Sequence, residues 1–303
     1  MTVGRFAPSP SGRMHLGNAF TALLAWLSVR AQGGRMLLRV EDLDPDRSRP
    51  EYIDALREDL HWLGLDWDEE MPLQSRRTAI YEAQFAHLGE LVYPCYCSRN
   101  ELHAASAPHA SDGRLLYAGT CRDLSASERA KKTRAPAWRI RVPNEVVSFH
   151  DGVFGAYAEN LARDCGDFIL RRSDGVFAYQ LAVVCDDALG GVTEVVRGCD
   201  LLASTPRQIW LYRMLGFTPP AFFHVPLLVA PDGRRLSKRE HDLELWRLKE
   251  RCSAAELVGR LAFLCGLTDR SEAVTPAELA KSFSWSRITR ENIVISENFA
   301  DFC

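Results

Sequence analysis

Apolar positions gather first at residues 3–7, a run of strand length, and again at residues 19–31, a run of helix length. Between them Pro8, Pro10 and Gly12 break the pattern and predict a loop, and Gly33-Gly34 supplies a helix stop. Residues 36–41 read as a second buried strand running into the acidic stretch Glu41-Asp42-Leu43-Asp44. Pro50 opens a helix to about residue 63, with Arg57, Glu58 and Asp59 assigned to its wet side. A further helix is expected over 78–91. Strand and helix alternating across short loops predict a doubly wound α/β domain, with ligands at the carboxyl ends of its strands.

The order changes at Tyr93. Residues 93–124 read as loop, followed by short β runs with hairpin turns at Asp151-Gly152 and Asp174-Gly175. Residues 93–165 are therefore expected to interrupt the α/β domain as an insertion. The α/β pattern resumes at 177–184. Ser204-Thr205-Pro206 is expected to cap a helix to residue 215, and 222–229 to form a strand. The remainder reads as helical, with capping boxes at Ser253/Glu256 and Thr275/Glu278. The expected division is 1–92 and 166–245 for the two halves of the nucleotide fold, 93–165 for the insertion, and 246–303 for a short helical C-terminal region.

Composition changes this picture little. With 47% hydrophobic and 25% charged residues, the chain is an ordinary globular one. No apolar run reaches the roughly 18 residues of a membrane span, and no basic start precedes an apolar core, so a cytoplasmic protein is expected. A net charge of −3 leaves any nucleic-acid partner to local basic patches, such as Lys131-Lys132-Arg134 or residues 234–239.

Nine cysteines in such a compartment do not predict a disulfide framework. Cys165, Cys185, Cys199, Cys252, Cys265 and Cys303 are scattered and read as small buried hydrophobes or free thiols. Cys95, Cys97 and Cys121 are spaced like ligands of one structural zinc ion, which needs a fourth donor. His103, His109 and Tyr117 are the candidates.

The chemistry concentrates in two stretches. Residues 5–18 combine a strand, a loop and a helix N-terminus, an arrangement that presents unpaired N–H groups to an anion. In it His15 and Asn18 lie one turn apart, and Gly17 lets a ligand approach the backbone. Residues 232–239 (DGRRLSKR) read alone as a turn with a solvated basic cluster.

Taken together, the motifs R-F-A-P-S-P-S-G-x-x-H-L-G, R-V-E-D-L-D, Y-Q-L-A-V-V-C-D-D (179–187) and Val196-Arg197-Gly198 resemble the glutamate branch of the class I aminoacyl-tRNA synthetases. His15-Leu16-Gly17-Asn18 resembles that class's H-I-G-H, with Asn18 in place of the second histidine. The stretch around Lys238 resembles its K-M-S-K-S. The resemblance implies a Rossmann-type catalytic domain that activates a carboxylate with ATP and Mg²⁺. It implies His15, Asn18 and Lys238 as catalytic residues and Arg5, Ser9, Glu41, Tyr179 and Arg197 as the L-glutamate pocket. It implies ATP contacts from Pro8, His15, Gly17, Asn18, Arg235, Leu236, Ser237, Lys238 and Arg239. A C-x-C…Y-x-x-x-C pattern within the branch implies Cys95, Cys97, Tyr117 and Cys121 as ligands of one Zn²⁺.

Too little sequence follows the Lys238 stretch for an anticodon-binding part. The expected member is therefore the truncated paralogue of glutamyl-tRNA synthetase. By that resemblance the chain is expected to activate glutamate without tRNA and then to transfer the glutamyl group to the queuosine at the wobble position of tRNA(Asp). A monomer is expected, without membrane contact. A compact synthetase charging the tRNA 3′ end, and a non-catalytic tRNA- or nucleotide-binding paralogue, are the alternatives.

Overall fold

A computed structural model describes residues 1–98, 116–234, 236, 243–296 and 299. Strand β1 (Val3–Phe6) leads through the proline-broken loop into α1 (Leu16–Ala31), then β2 (Arg35–Leu38), α2 (Pro50–Trp62), β3 (Glu69–Glu70) and α3 (Thr78–His87). β1, β2 and β3 are parallel neighbours, Arg5 standing opposite Leu37. Both crossovers are helical, as the alternation predicts. α1 begins three residues earlier than its apolar run, because the His15 side chain caps it. It is buried on nearly every side, from Leu16 to Val29, which is why its sequence shows almost no polar face. α3 ends four residues short of the expected boundary and passes through a 3₁₀ turn at Gly89–Leu91.

β4 (Val92–Cys95), α4 (Ala126–Ala130), β5 (Ala137–Ile140), β6 (Val146–Asp151), β7 (Gly155–Asn160) and β8 (Phe168–Arg171) follow. β4, β5 and β8 form an antiparallel sheet in that order. Residues 92–95 are thus strand where the sequence read loop from 93. Pro94 is tolerated because β4 is an edge with a partner on one side only. β6 and β7 form the expected hairpin at Asp151-Gly152.

Helix and strand alternate again with α5 (Tyr179–Leu189), β9 (Glu194–Gly198), α6 (Thr205–Met214) and β10 (Ala221–Val225). β9 and β10 are parallel. Thr193 ties β9 to β1, its amide donating to the Val3 carbonyl at 2.9 Å. Ser204 precedes α6 but makes no side-chain cap. The expected strand 222–229 is two, because Pro226 separates β10 from β11 (Leu228–Val229). α7 (Leu245–Leu248), α8 (Ala254–Leu264), α9 (Pro276–Ala280) and β12 (Ile293–Val294) complete the chain, β12 pairing with β11. Ser253/Glu256 and Thr275/Glu278 form the two expected capping boxes.

One apolar core joins α1, α2 and β2 to residues of α7, α8 and α9. A second lies under α3, α5 and α6. Asp59 corrects the reading of α2: it is buried, not wet, and accepts a 2.5 Å ion pair from Lys249, whose ammonium also lies over the Trp62 ring. A residue 190 positions away decides its burial. No described helix is long and apolar enough to cross a membrane.

Candidate active site

A cleft of about 470 Å³ opens where β1 and β9 end. Pro8, Ser9, His15, Gly17 and Asn18 line it from the first loop and α1, Glu41 from beyond β2, Tyr179 from α5, Arg197 from β9, and Leu236 from the far side. Arg5 enters from β1. The loop is held in place by its own backbone: Glu41 donates to the Pro8 carbonyl at 2.9 Å and Arg49 to that of Pro10 at 3.2 Å.

His15 has two duties in one ring. Its Nδ1 accepts the Gly17 amide at 3.1 Å and so caps α1, which fixes the proton of the neutral ring on Nε2, a donor. A Cβ on residue 17 would sit 3.0 Å from that ring, so the glycine makes room for the histidine as well as for a ligand. Asn18 Oδ1 faces the His15 amide at 3.5 Å, closing a capping box that a second histidine could not make in the same way. Leu245 donates to the Met14 carbonyl at 2.9 Å, fastening the chain beyond the Lys238 stretch to this same loop. Arg235, Ser237, Lys238 and Arg239 lie outside the described residues, as do His103 and His109.

Behind the cleft stands an ion network that sequence reasoning did not assign. Asp187 Oδ1 accepts Arg5 Nε at 3.2 Å and also Arg39 Nη1, while Arg39 Nη2 reaches Glu41 at 3.0 Å. Arg39 and Asp187 are fully buried. Burial works to raise the Asp187 carboxyl, but Arg39 and Arg5 outweigh it and hold the group below its ordinary value. For Glu41 burial wins over the same two cations, and its carboxyl is raised. The neighbouring Asp186 has partners of its own, pairing with Arg77 and accepting hydrogen bonds from Gln74 and Tyr81. The signal for both residues was present: an arginine inside the apolar run MLLRV, and a double aspartate closing the apolar face of α5.

Arg197 differs from the other arginines. It is 5% exposed, and its guanidinium donates to His224 Nε2 at 3.1 Å, Gln208 Oε1 at 2.7 Å and Thr205 Oγ1 at 2.7 Å. All three acceptors are neutral when His224 is neutral. Burial lowers the Arg197 pKa, with Arg5 acting in the same direction, and the more distant pull of Asp187 does not make this up. Of the three buried guanidinium groups at the cleft (Arg5, Arg39, Arg197), the first two share the carboxylates of Glu41 and Asp187, and Arg197 makes no ion pair among the described residues. Tyr179 lines the same space, and its hydroxyl has no hydrogen-bond partner among the described residues.

A second cluster lies between the end of β4 and the start of α4. Cys95, Cys97 and Cys121 hold their sulfurs within 4.8 Å of one another, Cys97 and Cys121 at 3.6 Å, and none forms a disulfide. Tetrahedral zinc with Zn–S of ~2.3 Å would separate two thiolates by about 3.8 Å. The Tyr117 hydroxyl stands 3.5 Å from Cys95 Sγ and accepts the Cys121 amide at 2.7 Å. Burial and the neighbouring Cys121 push the Cys97 thiol up to about 12, so its thiolate form is one that a bound cation would have to stabilise. The donor set therefore fits a zinc ion.

Comparison with known proteins agrees with this architecture. The family model of class I tRNA synthetases (E and Q), catalytic domain, matches residues 1–298. The glutamyl-Q tRNA(Asp) synthetase of Nitratidesulfovibrio vulgaris is 51% identical over 88% of this chain and 87% of its own. That of Deinococcus radiodurans is 54% identical over 79% and 80%. A glutamate tRNA ligase from Elizabethkingia meningosepticum, solved with its amino acid, superposes with a TM-score of 0.83 at 26% identity, covering 99% of this chain and 68% of that one. With a cleft built from the same signature stretches and a family match over nearly its whole length, the chain belongs to the class I tRNA synthetases (E and Q), sharing their catalytic domain.

Proposed function

We propose that this chain activates L-glutamate with ATP and Mg²⁺ and transfers the glutamyl group to the queuosine of tRNA(Asp). The observation that carries the glutamate reading is Arg197, a buried cation with only neutral partners at the end of the signature cleft. An anionic side chain supplies the missing charge. Arg5, Ser9, Glu41 and Tyr179 complete the pocket, Glu41 taking the ammonium group. The names of the relatives support queuosine as the acceptor.

In the first step a carboxylate oxygen of glutamate attacks the α-phosphorus of ATP, the bond to the β-phosphate oxygen breaks, and pyrophosphate leaves. The protein's task is to place the two anions and balance their charge. The His15 Nε2–H and the side chain of Asn18 act as donors on the α-phosphate side, beside the α1 N-terminus. Lys238, two residues beyond the cleft-lining Leu236, carries the charge of the departing pyrophosphate. In the second step a hydroxyl of the cyclopentenediol attacks the activated carbonyl, giving up its proton, and AMP leaves.

Glutamate-dependent ATP–pyrophosphate exchange without any tRNA tests the activation step. Robust exchange is expected in the wild type and none above background in Lys238→Ala. Unchanged exchange in that variant would remove Lys238 from the mechanism.

Cys95, Cys97, Tyr117 and Cys121 are proposed to hold one zinc ion that staples the insertion and takes no part in catalysis. Elemental analysis is expected to find about one zinc per chain. Cys121→Ser is expected to lose it and to melt at a lower temperature, with the glutamate KM unchanged. Wild-type protein that carries no zinc, and whose melting is indifferent to a chelator, would contradict the assignment.

A further inference from the structure

His224 is wholly buried on β10, outside the signature stretches. Its Nδ1 lies 2.6 Å from Asp151 Oδ2, and its Nε2 lies 3.1 Å from Arg197 Nε. Asp151 is also fully buried and is not the plain turn residue that its Asp-Gly step suggests. Its Oδ1 accepts the Val153 and Phe154 amides at 3.0 and 2.9 Å, and both oxygens lie within 3.2 Å of the His224 amide. Gly152 is what lets the hairpin come this close: a Cβ there would sit 2.0 Å from the Phe223 ring.

These contacts fix a proton. An ionised Asp151 only accepts, so His224 Nδ1 must donate, and a neutral ring then presents a bare Nε2 to Arg197. We infer that Asp151 and His224 are positioning residues for Arg197: they hold the acceptor that aims its guanidinium into the glutamate pocket. The inference rests on the proposed role of Arg197 as the carboxylate anchor. The rest of the surroundings agrees. Gln208 and Thr205 hold the other two edges of the guanidinium, and Thr205 Oγ1 lies 3.2 Å from the same Nε2. Burial depresses the His224 pKa despite Asp151, which keeps the ring neutral beside a cation.

Asp151→Asn is the discriminating variant. Its Oδ1 position is held by amide donors, so the new NH₂ must face His224 Nδ1. That moves the ring proton to Nε2, where it points at the Arg197 Nε–H. The volume stays the same and only the tautomer reverses, the logic known from the serine-protease triad. The expected result in pyrophosphate exchange is a glutamate KM raised about 10–100-fold by a buried donor left without its acceptor, with the ATP KM unchanged. His224→Leu is expected to behave the same way. His224→Gln, whose carboxamide oxygen can replace Nε2 as acceptor, is expected to recover most of the loss.

A readout that needs no stable variant is ¹⁵N NMR of the histidine-labelled wild-type chain, with His224→Gln used only to assign the signal. A protonated Nδ1 and bare Nε2 are expected, and an Nε2–H or imidazolium form at neutral pH would overturn the inference. Wild-type exchange with an unchanged glutamate KM in both Asp151→Asn and His224→Leu would overturn it as well. Wild-type protein inert toward glutamate would instead strike at the proposed function, leaving the NMR tautomer to decide the arrangement.

Discussion

Arg197→Ala is expected to lower kcat/KM for glutamate in pyrophosphate exchange by about 10²–10⁴-fold, from the loss of two charge-assisted hydrogen bonds at ~1.5–3 kcal/mol each. The reason lies in the charge balance of the cleft. Arg5 and Arg39 already share Asp187, and Arg39 also reaches Glu41, so neither is a free cation. Of these three, Arg197 makes no ion pair among the described residues, and its three hydrogen bonds place the fork without neutralising it. Glutamate should therefore raise the melting temperature of the wild type through binding linkage and leave Arg197→Ala unmoved. Glutamine, with an NH₂ where the second carboxylate oxygen would be, should not support exchange. A variant that still melts higher with glutamate would place the carboxylate elsewhere.

Asp187→Asn is expected to cost stability before it costs activity. The substitution leaves Arg5 and Arg39 buried with one carboxylate, Glu41, where there were two. Removing one member of a buried ion group destabilises by about 3–5 kcal/mol, because the partner charges stay in place uncompensated. Urea unfolding should show a lower midpoint with an unchanged slope, since the surface exposed on unfolding is the same. The position of the Asp187 pKa gives the sign with pH. Its folded value lies below the unfolded one, so its contribution is present above the ordinary carboxylate range of about 3.9 and is lost as pH falls through the folded value. The stability gap between wild type and variant should therefore close in acid. A gap below about 1 kcal/mol at neutral pH would mean that Asp187 carries no such load.

What the sequence shows and what it hides follow one physical line. Local signals read correctly: Pro8, Pro10 and Gly12 break the chain where the cleft loop lies, the two capping boxes start α8 and α9, and the cysteine spacing brings three sulfurs together. The signature stretches were legible because each packs its functional groups into a few adjacent residues. What stayed hidden concerns polar residues whose fate is set by distant partners. Asp59 is buried because Lys249 comes to it, Asp187 because β1 and β2 deliver Arg5 and Arg39, and Asp151 because β10 delivers His224. Pro94 misled in the same way: its place in a strand is permitted by an edge position that only the sheet order reveals. The expected resumption at 177–184 falls largely in α5, whose apolar face buries a run too continuous to tell helix from strand.

The measurement that bears most directly on the whole account is the fate of labelled glutamate. The protein is incubated with ATP, Mg²⁺, labelled glutamate and native tRNA, the RNA is digested, and the nucleosides are separated. The account predicts label on an internal modified guanosine, and none when an unmodified transcript replaces native tRNA. Label on the 3′-terminal adenosine would contradict it and make the chain a compact glutamyl-tRNA synthetase. No label and no pyrophosphate exchange would make it a binding protein.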